Sequence, residues 1–245
     1  MTANEWIEQK VPDLTGKTII ITGANSGLGF EVTKAFASKG AQVVMACRNA
    51  QKAEEAKSEV LKLHPKASLD VLALNLASLK SIQEFAEAVI QKYPAIHILC
   101  NNAGVMALPY RQTEDGFEMQ IGTNHLGHFA LTGRLIGHLS QTPKARVVTV
   151  SSGMHQFGRM NFEDLQGQRL YSKWAAYSQS KLANLLFAYE LQRKFQKKNQ
   201  NLLSVAAHPG YSNTNLQTTG PQMAHSVFPL ESLMLTRRSP LELMA

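Results

Sequence analysis

Short apolar runs and longer amphipathic stretches alternate along the chain. The apolar runs at 17–22, 42–46, 69–74, 96–100, 145–151 and 202–207 are apolar at successive positions, as strands buried on both faces require. Between them, 27–39, 49–63, 78–92, 113–139 and 175–197 carry apolar residues at helical spacing. Ser78 is placed to cap the third of these helices, with a further Ser81/Glu84 box inside it. Alternation of this kind predicts an α/β fold, a doubly wound, Rossmann-like parallel sheet with helices on both faces. No linker or repeat interrupts it, so residues 1–245 read as a single domain. Two stretches break the pattern, 153–174 and 209–229. Both follow strand ends, where open α/β sheets bind their ligands.

The first strand runs into Thr22-Gly23-Ala24-Asn25-Ser26-Gly27-Leu28-Gly29 and then a helix. Glycines permit positive φ and close approach of a ligand. The helix start presents unpaired N–H groups and the positive dipole end. A nucleotide phosphate is the ligand such a turn suits. At the end of the second strand stands Arg48, where an acidic residue would hold a ribose 2′-hydroxyl; an arginine suits a 2′-phosphate, with Lys52 in reach.

Tyr177 and Lys181 lie four apart on one helical face, where an ammonium would favour the phenolate. Such a tyrosine exchanges protons with an alcohol or carbonyl. Ser151 and Ser152 end the fifth strand, and either hydroxyl could hold a substrate oxygen near Tyr177. Asn124 interrupts a helix in which asparagine is a poor interior residue, which marks a kink or a held water. Asn101-Asn102-Ala103-Gly104 forms a turn at a strand exit. His125, His128, His155 and His208 lack the companions a metal site needs, so no metal is expected.

Together these residues resemble the short-chain dehydrogenase/reductase family. The resemblance covers roughly residues 14–216 and rests on Gly23-x3-Gly27-x-Gly29, Asn101-Asn102-Ala103-Gly104, Asn124, Ser152, Tyr177-x3-Lys181 and Pro209-Gly210-x3-Thr214. Within that family the chain is similar to the retinol dehydrogenase, WW-domain oxidoreductase and protochlorophyllide reductase group. The matching segments are Ala46-Cys47-Arg48-Asn49, 124–129 and 177–184.

The resemblance implies an NADP(H)-dependent oxidoreductase acting on a small lipophilic alcohol, aldehyde or ketone. Tyr177 would be the acid/base and Lys181 would lower its pKa and bind the nicotinamide ribose. Ser152 would hold the substrate oxygen with Tyr177, and Asn124 a relay water. The Gly23–Gly29 turn, including Asn25, Ser26 and Leu28, would hold the pyrophosphate. Asn102, Ala103 and Gly104 would line the adenosine side. Asn75 and Leu76 would lie near the adenine, Asn75 replacing the usual aspartate. Pro209, Gly210 and Thr214 would flank the nicotinamide. Met154, Phe157, Met160, Phe162 and Leu165 would border an apolar substrate pocket. The family also adds a helix and a final strand after the position of Ala245. Their absence predicts an incomplete substrate lid and an unpaired apolar edge at 202–207, open to homo-oligomerisation or aggregation. Two other readings are a non-catalytic NADP-binding sensor, or truncated inactive relative, and a sugar-nucleotide epimerase. The latter usually has a different glycine spacing and a longer substrate domain.

Bulk properties narrow the class without changing it. A formal charge of +7 over 245 residues comes from scattered lysines and arginines, so no nucleic-acid partner is expected. Two cysteines without C-x-x-C spacing imply free thiols in a reducing compartment. Residues 1–16 lack the apolar core of a signal peptide, and no run reaches the ~18 residues of a membrane span. The expectation is a cytoplasmic protein.

Overall fold

The computed structural model describes residues 2–198 and 200–210. The expectations placed on Thr214 and on residues 217–245 lie outside the described residues.

Among the described residues six strands form one parallel sheet: β1 Thr18–Thr22, β2 Gln42–Cys47, β3 Ser68–Ala73, β4 Ile98–Asn101, β5 Arg146–Val150 and β6 Leu203–Ala207. Their order is β3-β2-β1-β4-β5-β6. The direction of winding reverses between β1 and β4, the switch point where doubly wound sheets open a ligand crevice at their strand ends. In register, Ile19, Ile20 and Ile21 of β1 lie beside Ile98, Leu99 and Cys100 of β4 on one side, and beside Val43, Val44 and Met45 of β2 on the other.

Side-chain alternation divides these runs between two cores. Ile20, Val44 and Leu99 pack with Ile82, Phe85, Leu131, Leu135 and Phe195 on one face. Ile19, Ile21, Val43 and Met45 pack with Val32, Ala53 and Val60 on the other. The helices are α1 Ala3–Lys10, α2 Gly27–Ser38, α3 Ala50–Leu63, α4 Leu79–Lys92, α5 Met119–Ile121, α6 Gly127–Ser140 and α7 Lys173–Lys197. Thus α2 and α3 cover one face, and α4, α6 and the end of α7 cover the other. Ser78 caps α4 by accepting from the Ser81 N–H. Among the described residues β6 is an edge, with Leu203 and Val205 partly exposed. No helix of the described residues is long and apolar enough to cross a membrane.

Two local expectations are corrected, and one helix was not expected. The single helix expected at 113–139 starts later and is interrupted. Gln112 and Glu118 form an antiparallel bridge, so 113–117 is a turn; α5 then passes through a π-helical turn, Gly122–Leu126, into α6. The stretch expected to be irregular after β5 begins with a 3-10 turn, Gly153–Phe157, capped by Ser152. Finally, Thr2 and Glu5 form a capping box that starts α1, and Ile7 buries that helix against Ala35.

Candidate functional site

The glycine turn between β1 and α2 is dictated by contact and by φ. Gly23 has φ +67°, and a Cβ there would meet the Ala103 Cβ at 3.0 Å. A Cβ on Gly29 would strike the Gly23 carbonyl and come within 2.6 Å of the Asn102 Nδ2. Ser26, the residue before α2, makes no side-chain capping bond, so the first N–H groups of that helix are left for a ligand. An open, dipole-positive cradle that a side chain would fill fits a dinucleotide pyrophosphate.

Asn102, Ala103 and Gly104 lead away from this turn. The Asn102 Nδ2 donates to the Thr22 carbonyl at 2.7 Å, and the backbone N–H groups of Asn102 and Ala103 both donate to the Thr22 Oγ1 at 2.9 Å. Gly104 reaches a different neighbourhood: a Cβ on it would lie 3.1 Å from the Asn124 Oδ1 and 3.6 Å from the Lys181 Nζ. The segment therefore runs from the glycine turn to the Lys181 cluster rather than lining the adenosine side alone.

The structure brings Tyr177, Lys181, Ser152 and Asn124 together. Tyr177 and Lys181 are both buried on the inner face of α7. The Lys181 Nζ lies 5.8 Å from the Tyr177 ring centroid and donates to the Val150 carbonyl at 3.2 Å. Burial pulls its pKa down to about 8. Burial pushes the Tyr177 phenol above its ordinary value, and a hydrogen bond with the Ser152 hydroxyl opposes that shift. The net direction is upward, so burial outweighs the neighbouring groups in this arrangement. The ammonium sits toward the ring and the Val150 carbonyl, so desolvation sets the direction. The Ser152 Oγ accepts from the Met154 N–H at 3.3 Å, which leaves its own proton for Tyr177 or a substrate oxygen. Ser151 plays another part: its hydroxyl donates to the Lys181 carbonyl at 2.8 Å, fixing the helix to β5.

Asn124 lies inside the π turn and is fully buried. Its Oδ1 accepts from the Val105 N–H at 2.7 Å, and its Nδ2 donates to the Val105 carbonyl and the Ser180 Oγ, both at 2.9 Å. Ser180 in turn donates to the Tyr177 carbonyl at 2.7 Å. The side chain expected to hold a water is thus committed to pinning the 102–105 segment onto α7. Gly127 follows the π turn, and a Cβ on it would strike the Leu76 carbonyl; this packs α6 against the strand end that carries Asn75 and Leu76. The Asn75 amide donates to the Glu114 Oε1 at 3.0 Å and accepts from the Ala77 N–H at 3.1 Å.

The far end of the crevice is open. Arg48 follows β2 directly and is exposed, with no ion pair among the described residues. A cavity of about 300 Å³ is lined by Asn25, Ser26, Phe30, Lys52, Glu55, Ala56 and Glu59, without Arg48. Lys52 supplies a cation to it; Glu55 and Glu59 bring carboxylates that sequence reasoning did not weigh.

Phe157, Met160 and Leu165, expected around a substrate, line a cavity of about 530 Å³ with Leu170, Tyr171, Ala175 and Ala176. Neither Tyr177 nor Ser152 lines it, and Phe162 is 81% exposed. At the other border, Gly210 has φ +63° and its N–H donates to the His208 Nδ1 at 3.2 Å. Both cysteines are free and buried, Cys47 pushed up to about 11 and Cys100 to about 12 by desolvation. Among the described residues no three His, Cys, Asp or Glu side chains are placed to hold a metal.

A crevice at the switch point, a glycine-built phosphate cradle and the buried Tyr177, Lys181 and Asn124 with the half-buried Ser152 define a dinucleotide-binding α/β protein. The chain belongs to the short chain dehydrogenase family, whose model matches residues 17–224. It is 43% identical to retinol dehydrogenase 14 of Mus musculus over 239 residues, 93% of this chain and 71% of that one. To retinol dehydrogenase 12 of Homo sapiens it is 45% identical, over 83% of this chain and 64% of that one. The chain thus spans about two thirds of the length of these relatives. A crystal structure of an uncharacterized protein from Mycobacterium paratuberculosis superimposes with a TM-score of 0.77 at 47% identity, covering 89% of this chain and 75% of that one.

Proposed function

We propose that the protein is an NADP(H)-dependent oxidoreductase that interconverts a lipophilic alcohol with its aldehyde or ketone, with Tyr177 as the acid/base. The observation that carries this reading is the Tyr177 phenol, buried against the Ser152 hydroxyl and beside the Lys181 ammonium. In the reductive direction a carbonyl oxygen accepts hydrogen bonds from Ser152 and Tyr177. Tyr177 then passes its proton to that oxygen. A phenol raised by burial stays protonated at neutral pH, which suits it to act first as the acid. Lys181, still largely cationic at neutral pH with a pKa of about 8, offsets the phenolate that remains. Asn124 keeps Gly104 and α7 in position for this exchange.

The residues present fit a nicotinamide dinucleotide, which when bound would supply or accept the hydride. The Gly23–Gly29 turn would hold its pyrophosphate, and Asn102–Gly104 with Lys181 its nicotinamide-side ribose. Pro209 and Gly210 would flank the ring, with Thr214 as expected from the family motif. Arg48 and Lys52 would take a 2′-phosphate; Arg48 carries the preference for NADP(H), since its charge has no partner among the described residues. The lipophilic class of the substrate is supported by the relatives' name, retinol dehydrogenase, and by apolar side chains in the 153–172 segment. The test is NADPH oxidation over a panel of aldehydes and ketones, wild type beside Tyr177→Phe. Turnover by the wild type that the variant loses supports the reading; a variant that turns over like the wild type refutes the role of Tyr177.

A further inference from the structure

We propose that His128 is a positioning residue whose imidazole, with the proton on Nδ1, closes a buried hydrogen-bonded ring that joins the cofactor-side turn at Asn102–Ala103 to Asn124. The proposal rests on the reading of Tyr177, Lys181 and Asn124 given above. It gives a role to a histidine that lies within the matching segment 124–129 but to which the resemblance assigns none.

The tautomer follows by elimination. The His128 Nδ1 lies 3.0 Å from the Asn124 backbone carbonyl oxygen. A carbonyl only accepts, so Nδ1 carries the proton. The Nε2 lies 2.9 Å from the Thr22 Oγ1. That hydroxyl oxygen already accepts from the Asn102 and Ala103 N–H groups at 2.9 Å, which fills both its lone pairs. Its proton therefore points away, and of its two neighbours the His128 Nε2 at 2.9 Å is nearer than the Cys100 carbonyl at 3.3 Å. Thr22 donates and Nε2 accepts. An imidazolium would leave two donors facing each other here. Burial, which pulls the ring's pKa down to about 4, keeps it neutral; Lys181 and His125 are the titratable groups that act on it.

The ring of bonds is then complete. Thr22 donates to His128, and His128 donates to the Asn124 carbonyl. The Asn124 Oδ1 accepts from Val105, and three residues of backbone return to Ala103, whose N–H donates to Thr22. The 102–105 segment is held from below by the end of β1 and from above by the π turn, and His128 ties the two holders together. Thr22, His128 and Asn124 are buried and the 103–105 backbone is half-buried, so a link broken at the imidazole leaves an unpaired polar group out of reach of water. One edge of the ring carries the segment that abuts the glycine cradle. The other carries Asn124, which reaches Tyr177 through Ser180.

The two nitrogens can be tested separately. The amide of His128→Asn superimposes on Nδ1 and keeps the donor to Asn124. The amide of His128→Gln reaches the place of Nε2 and keeps the acceptor for Thr22. The expected result is a crossover. His128→Asn loses more in NADPH affinity, by about tenfold in the Kd from nucleotide fluorescence, than in kcat. His128→Gln loses more in kcat, also by about tenfold, than in affinity. Thr22→Val should follow His128→Asn, and Thr22→Ser should restore it. Equal losses of Kd and kcat in both variants, or a fall in Tm alone, would overturn the proposal. Nitrogen-15 histidine NMR of the wild type decides the matter even if the variants fold poorly. A protonated Nδ1 and a bare Nε2 at neutral pH are expected; the opposite tautomer or an imidazolium rules the ring out. A wild type that binds NADPH yet turns over no carbonyl substrate would count against the proposed function, while the tautomer and the Kd of the variants still report on His128.

Discussion

The two ends of the crevice are built by opposite means. Around Tyr177 and Lys181 the side chains are buried, and Asn124, Ser180, Ser151 and Lys181 spend their polar atoms on named partners. Around Arg48 and Lys52 the cations are exposed or line an open cavity, and among the described residues no ion pair holds them. The first end is preorganised, so what it does depends on positions fixed to within a hydrogen bond. The second end recognises by charge, which is cheap to alter and is screened by salt. Removing a group at the buried end should disable chemistry; removing one at the open end should change only which nucleotide is preferred.

The largest effect is expected from Lys181→Met. The chain length is kept, but the cation beside Tyr177 and the bond to Val150 are lost. Turnover should fall by about 10²–10⁴ on a working substrate, the usual worth of positioned acid–base machinery. A variant within tenfold of the wild type would show that the buried end does not depend on its cation.

The same burial makes the fold acid-sensitive. His97, His125 and His128 all have pKa values pulled below 6.5 by desolvation, and His97 uses its Nδ1 to accept from the Thr18 N–H at 3.0 Å. A depressed histidine binds protons more readily in the unfolded chain. Stability is therefore full above pH 6.5 and declines as pH falls toward the folded values. His128, at about 4, accounts for about 3 kcal/mol of that loss. Denaturant melts at pH 7 and pH 4.5 check it, and an unchanged midpoint would mean that these rings are solvated.

The glycine turn lies between the two ends. Gly29→Ala drives a methyl group into the Gly23 carbonyl and the Asn102 amide, so it should abolish nucleotide binding and destabilise the fold by about 1–3 kcal/mol. Calorimetry with NADPH and a thermal melt read the two effects separately. Retained binding would place the pyrophosphate elsewhere.

How much of this was legible in the sequence follows the same division. The strands were readable because Ile19, Ile20 and Ile21 are buried on both faces, and only central parallel strands need that. Tyr177, Lys181, Ser152 and Asn124 stood out because a motif names them. What those side chains touch was not readable. Asn124 signals a disturbed helix, but the π turn and the bonds to Val105 depend on chain segments folded against it. His128 was weighed as a metal ligand and matched within 124–129, but its partners were not readable: Thr22 lies 106 residues before it, and Asn124 offers its backbone carbonyl from the π turn. The T-x-x-E box at Thr2–Glu5 was a local signal for α1 that could have been used. The bridge between Gln112 and Glu118 had none, because amphipathic spacing continues through it.

The smallest effect is expected at the open end. Arg48→Asp should weaken NADPH binding by about tenfold relative to NADH, the scale of one charge-assisted contact. Raised salt should shrink the difference. Equal affinity of the wild-type protein for the two nucleotides would remove Arg48 from the account.

The separation of the two ends is tested most directly by titrating NADPH and NADH into Tyr177→Phe and Arg48→Asp beside the wild type, with kcat on one aldehyde. The account predicts that Tyr177→Phe loses turnover while its NADPH Kd stays within about threefold of the wild type, since the ring keeps its packing and loses only its hydroxyl. It predicts that Arg48→Asp loses NADPH affinity far more than kcat. Tyr177→Phe losing nucleotide affinity as severely as turnover, or Arg48→Asp leaving the NADPH-to-NADH ratio unchanged, would contradict it.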